Sequence, residues 1–137
     1  MGCVLRAMGR TFDVDAFVRE STLVTDSIYH RGELRLAGAT GPRHSASGLG
    51  IQISDADFDD LAGQIQGALE FLNEHEDELR HLTGFVGVEE VCLDFGVSLR
   101  NAAKESEVFP ADLLWRAGAL DIDLVVTHYT IANEASE

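Results

Sequence analysis

"LGIQISDADFDDLAGQIQGALEFLNEHEDELRHLTG", residues 49–84, is the stretch that decides the fold. Its opening alternates, with Leu49, Ile51 and Ile53 on one side and Gly50 and Gln52 on the other. A period of two marks a strand with one buried face. Then the period changes. Phe58, Leu61, Ile65, Leu69, Leu72, Leu79 and Leu82 recur in steps of three, four and seven, which keeps one side of a helix apolar. Ser54 is a capping residue, Asp55 and Asp57 suit the positive end of a helix, and Gly84 suits its stop. The reading is a strand feeding one long helix over 55–82. Gly63 and Gly67 lie inside it; each costs about 1 kcal/mol against Ala, so they predict a closely packed neighbour.

On either side the same two periods recur. "GCVLRAMG" (2–9) reads as a strand and "FDVDAFVRES" (12–21) as a short helix capped by Asp13. Residues 22–36 are ambiguous, with a short strand at "LRL", and "AGATGPRHSASG" (37–48) reads as a loop. "VEEVCLDFGVSL" (88–99) alternates with Val91, Leu93, Phe95 and Val97 inward. "PADLLWRAG" (110–118) is a short helix and "LDIDLVVTHY" (120–129) a last strand, with His128 in its inward phase. A parallel sheet covered on both faces would not alternate in this way. The expected fold is therefore α+β, a two-layer sandwich. Its sheet is mainly antiparallel, with about four strands, and carries one long and two short helices on one face. Residues 1–131 are expected to form a single domain and 132–137 a flexible tail.

The chain has 137 residues and a net charge of −14. The charge is uneven: residues 1–43 hold six arginines against five acids, and residues 44–137 hold four basic groups against nineteen acids. Such acidity disfavours nucleic acid and anionic lipid, and suits either solubility alone or a basic protein partner. No segment approaches the roughly 18 apolar residues of a membrane span, and the first residues lack the pattern of a secretory signal. The cysteines, Cys3 and Cys92, lie in apolar runs and read as free thiols, which fits a reducing cytoplasm. The oligomeric state is not legible.

"HEDELRH" (75–81) begins like a zinc-protease helix, but position 79 is Leu79 where the second histidine belongs. His75 and His81 are six apart and point to different sides of a helix. Glu78 and His81 give one E-x-x-H pair where a di-iron bundle needs two. No metal and no cofactor is expected. The simpler reading is a wet helix face, with Glu76–Arg80 and Asp77–His81 pairs at i, i+4.

No nucleophile motif, C-x-x-C pair or phosphate loop appears, so the reading leans away from an enzyme. Two surfaces remain. The outward phase of the sheet carries Glu90, Asp94, Asp121 and Asp123, candidates for docking a basic protein. The segment "YHRGELR" (29–35) with "GPRH" (41–44) carries Arg31, Arg35, Arg43 and His44, candidates for cradling an anion or small ligand.

The opening strand into "GRTFDVDAF", the "RGE" at 31–33 ahead of a loop, "LGIQIS" feeding a long helix and the closing "LDIDLVVTHY" together resemble a large bacterial family of small α+β proteins of unknown function, the DUF4279 group. The likeness covers most of the chain as topology and spacing. The chain lacks that family's Pro before the "RGE" position and its Trp at the start of the central strand, where Ser47 and Gly48 stand. The resemblance carries over no catalytic residues. Because some small acidic proteins of this type sit beside toxins, it implies an immunity-type role.

Overall fold

A computed structural model describes residues 2–35, 41–99 and 106–130. The elements are β1 (Cys3–Gly9), α1 (Val14–Glu20), β2 (Ser27–Tyr29), β3 (Ser47–Ser54), α2 (Leu61–Glu74), α3 (Glu76–Thr83), β4 (Glu90–Leu99), α4 (Ala111–Ala119) and β5 (Asp123–Thr130). The strands form one open sheet in the order β2-β3-β1-β4-β5. β1 runs antiparallel to β3 and to β4, β2 antiparallel to β3, and β5 parallel to β4. The class is α+β, as expected, but the sheet has five strands rather than about four and is mixed. The extra strand, β2, lies in the stretch that was ambiguous. Its three residues are too few for an alternation to show.

One face of the sheet is covered. Leu5, Ala7, Leu49, Ile51, Val91, Leu93, Phe95 and Val97 are buried there in one cluster with Phe17, Ile65, Leu72, Leu79, Leu82 and Leu113 from the helices. The alternation in β1, β3 and β4 therefore reports that face correctly.

The long helix is corrected in two ways. It begins at Leu61, capped by the Asp60 carboxylate, which accepts from the Gly63 N–H at 2.9 Å. Residues 55–60 are irregular. Ser54 does accept from the Ala56 N–H at 3.0 Å, but in a turn that leads away from the strand. The helix then breaks at His75, so the described residues form four helices rather than three. The break puts Glu76, Asp77 and Glu78 in the first turn of α3, where the positive end of a helix favours acids. Within α2 the buried positions are Leu61, Gln64, Ile65, Ala68 and Leu72, so the core-facing side passes through Gln64 and Ala68, and Leu69 is only half-buried.

Gln64 explains that rotation. Its side chain is fully buried. It donates to the carbonyls of Asp57 (2.9 Å) and Gly96 (2.8 Å) and accepts from the Gly96 N–H (3.2 Å). The Gly96 N–H also donates to the Gly2 carbonyl at 2.7 Å, so the Gln64 amide shares that donor and supplies the partner of the Gly96 carbonyl where β4 runs past the start of β1. Gly67 packs as expected: a Cβ there would lie 3.1 Å from the Ser54 side chain.

Gly84 does cap α3, and Glu76–Arg80 is an ion pair at 2.7 Å. His81 does not pair with Asp77; it reaches Glu20 at 3.4 Å and stacks on the Phe17 ring at 5.2 Å. The loop expected at 37–48 is described only from residue 41; it is irregular there, apart from a single bridge between Arg43 and Leu34, and gives way to β3 at Ser47. The tail at 132–137 lies outside the described residues. No helix among the described residues is long and apolar enough to cross a membrane.

Candidate functional site

Among the described residues no helix lies on the other face of the sheet, and the strand registers map it row by row. Tyr29, Gly48, Met8 and Glu90 lie side by side across β2, β3, β1 and β4. The next row is Ser27, Gly50, Arg6, Cys92 and Asp123. The third is Gln52, Val4, Asp94 and Val125.

Arg6 sits near the centre and is the functional candidate that the sequence reading passed over. Its guanidinium bonds the Asp94 carboxylate, whose other oxygen accepts from the Thr127 hydroxyl at 2.7 Å. The Asp94 side chain is only 6% exposed, against 42% for Arg6. Burial works against the charged guanidinium, but the hydrogen bond and charge of Asp94 outweigh it and hold Arg6 above its ordinary pKa. Asp94 was expected on a wet docking face. It is instead a buried anchor that aims Arg6 outward.

Beside Arg6, Gly48 and Gly50 fall in the outward phase of β3, and β2 side chains take the room that their missing Cβ atoms leave, Tyr29 over Gly48 and Ser27 over Gly50. The Tyr29 ring lies across the gap, and a Cβ on Gly48 would fall 2.4 Å from its hydroxyl. Burial raises the Tyr29 phenol pKa and favours its neutral form. His44 stacks on the same ring, with centroids 4.3 Å apart. The resulting concavity of about 350 Å³ is lined by Arg6, Met8, Tyr29, Arg35, Arg43, His44, Ser45 and Ala46. Arg43 is positioned by its bridge to Leu34 and donates to the Gly32 carbonyl at 2.6 Å. The Arg35 guanidinium has no ion-pair partner among the described residues.

Of the basic candidates, the structure brings together Arg35, Arg43 and His44 and adds Arg6. Arg31 stands apart: its guanidinium donates to the Arg10 carbonyl at 3.4 Å, and its backbone N–H to Ser47 Oγ at 2.9 Å. Gly48 and Gly50, at alternate positions of an alternating strand, were the sequence signal for the seat of Tyr29.

Of the acidic candidates, Glu90, Asp121 and Asp123 share a second concavity of about 330 Å³ with Thr83, Val88, Glu89 and Val91. Asp121 precedes β5, in a turn at φ 65°, rather than standing in the strand. Glu89 is engaged by Arg10 through a 2.7 Å ion pair and a 2.7 Å backbone contact, which hold its carboxyl down at about 2.

Neither thiol is poised for chemistry. Burial pushes Cys3 up to about 12 and also raises Cys92, so both rest protonated. His128, placed in the inward phase of β5, is exposed because the helical layer does not reach the end of that strand. Among the described residues, no group of three or more His, Cys, Asp or Glu is arranged to hold a metal. Comparison with protein-family models, curated proteins and solved structures found no match.

Proposed function

We propose that the protein is a non-catalytic binding domain whose open sheet face receives a ligand bearing a carboxylate or phosphate group. One observation carries this reading. In a chain of net charge −14, three guanidinium groups and an imidazole line one concavity, with no carboxylate among its lining residues. Asp94 offsets the charge of Arg6, but Arg35 and Arg43 meet in the concavity; collecting like charges costs energy, and an anion that bonds them relieves that cost. Arginine suits the task because its planar fork donates in pairs to an oxyanion. The concavity beside Arg6 has the volume of a small-molecule site, and Tyr29 and His44 give it an aromatic wall.

A second reading rests on the other concavity. Glu90, Asp121 and Asp123 share it with no basic lining residue. A basic protein docking there would associate quickly at low salt, because steering by exposed charge acts at long range. That reading keeps the immunity-type role as a proposal.

Calorimetric titration with inorganic phosphate and with a dicarboxylate separates the two. The first reading expects saturable binding that Arg35→Glu with Arg43→Glu abolishes and Asp121→Lys with Asp123→Lys leaves intact. Failure of both anions to bind at low salt would remove it.

A further inference from the structure

We infer that His30 is a proton-operated latch: as an imidazolium it ties α1 to the turn that positions Arg43 and His44, and on losing its proton it loosens that turn. Both ring nitrogens face carboxylates. Nε2 lies 2.9 Å from Asp15 Oδ2 on α1, and Nδ1 lies 3.3 Å from Glu33 Oε1. An imidazolium carries an N–H on both nitrogens, whereas a neutral imidazole carries only one. With that one kept at the shorter contact, to Asp15, the Nδ1 lone pair is left against the Glu33 carboxylate. The second contact then turns from attraction to repulsion.

Glu33 is where this change reaches the anion site. Its Oε1 also accepts from the His30 backbone N–H at 3.1 Å, and its own N–H donates to the His30 carbonyl at 3.1 Å, so residues 30–33 close on themselves. Gly32, inside the turn, stands at φ 93°, where glycine adds little stiffness of its own. Two residues that line the concavity hang on this turn. His44 donates its backbone N–H to the Glu33 carbonyl at 2.8 Å and accepts from the Gly32 N–H at 2.9 Å. Arg43 donates to the Gly32 carbonyl at 2.6 Å.

The charged groups that face the ring are Asp15 from α1 and Glu33 from the turn. The nearby cations are turned elsewhere, Arg31 to the Arg10 carbonyl and Arg43 to the Gly32 carbonyl, and Arg19 stands one turn further along α1. The hydrogen bonds to Asp15 and then Glu33 hold the His30 pKa above its ordinary 6.5. A raised pKa means that the latch is in full force below 6.5 and is released as pH rises through the folded value. His30, Asp15 and Glu33 are 39%, 54% and 58% exposed, so the latch biases the turn rather than locking it. Exposed pairs shift an equilibrium by roughly two- to fivefold, and less at high salt.

Nuclear magnetic resonance at low salt tests the latch without a ligand. His30 should titrate above 6.5, and the amides of residues 30–34 and 43–45 should lose rigidity in heteronuclear relaxation as it does so. Glu33→Gln separates this from a merely structural role: its amide N–H can donate to the Nδ1 lone pair, so the turn should stay ordered on both sides of the His30 midpoint. Asp15→Asn, on the other element, should bring that midpoint back toward 6.5. A wild-type midpoint at or below 6.5, or amides indifferent to it, would overturn the latch. Its effect on affinity rests on the anion site proposed above and is read separately. Oxalate, whose charge is constant over this range, should lose affinity as pH rises, by roughly two- to fivefold more in the wild type than in Glu33→Gln. The titration of His44 is common to both proteins. Failure of oxalate to bind would remove the anion site, and the relaxation data would still decide the latch. Binding with the same pH dependence in both proteins would overturn the link between the two.

Discussion

Leu93 and Asp94 are neighbours in β4 on opposite faces of one sheet, and both are buried. Leu93 is held by the apolar cluster beneath the helices. Asp94 is held by Arg6 and Thr127 on a face that no helix covers. One face gains its order from packing, the other from a few polar bonds laid over the strands. The difference explains where recognition can reside. A close-packed face has no room for a ligand, while a face ordered by isolated pairs has hollows between them, as between Arg6, Arg35 and Arg43.

The largest effect should come from the packed face. Leu93→Ala removes a fully buried side chain and is expected to cost about 2–5 kcal/mol in denaturant unfolding. Asp94→Ala should cost less, about 1–3 kcal/mol, because it strands Arg6 and Thr127, yet Arg6 is exposed enough for water to take up part of the loss. If Asp94→Ala proved costlier than Leu93→Ala, the polar pair rather than packing would be the main support of β4. Leu69→Ala sharpens the boundary of the packed face: as a half-buried position it should cost about 1 kcal/mol, well below Leu93→Ala.

How much of this was legible follows from the same contrast. The covered face is written as alternation, and Leu5, Ile51, Leu93 and Phe95 announce it directly. The helix face was read with a rotational error because Gln64, a polar residue, occupies a core position to bond Gly96, a role no hydrophobic pattern encodes. The open face was read as wet. Asp94 looked like a docking acid because its partner Arg6 is 88 residues away, and nothing local joins them. Arg35, Arg43 and His44 were found as a group because they stand near one another in sequence. Arg6 and Tyr29, the residues that give them a floor and a wall, come from other strands. Arg31 was grouped with them for the same reason, and the structure turns its guanidinium to the Arg10 carbonyl instead.

The smallest effect lies at the rim. Arg10 holds the Glu89 carboxyl at about 2, below its ordinary value of 4.5. A depressed pKa gives stability that is present above the unfolded value and lost as pH falls through the folded one, so this contribution should fade between about pH 4.5 and pH 2. A nuclear magnetic resonance titration of the Glu89 carboxyl in Arg10→Ala should show its midpoint returning toward 4.5. An unmoved midpoint would mean that Arg10 does not engage it.

The most direct test of the central claim is to titrate inorganic phosphate into the protein at low salt and follow backbone amide and arginine side-chain resonances. The account predicts saturating shifts centred on Arg6, Tyr29, Arg35, Arg43 and His44, absent in Arg35→Glu with Arg43→Glu. Shifts that fail to saturate, or that spread evenly over the surface, would contradict it.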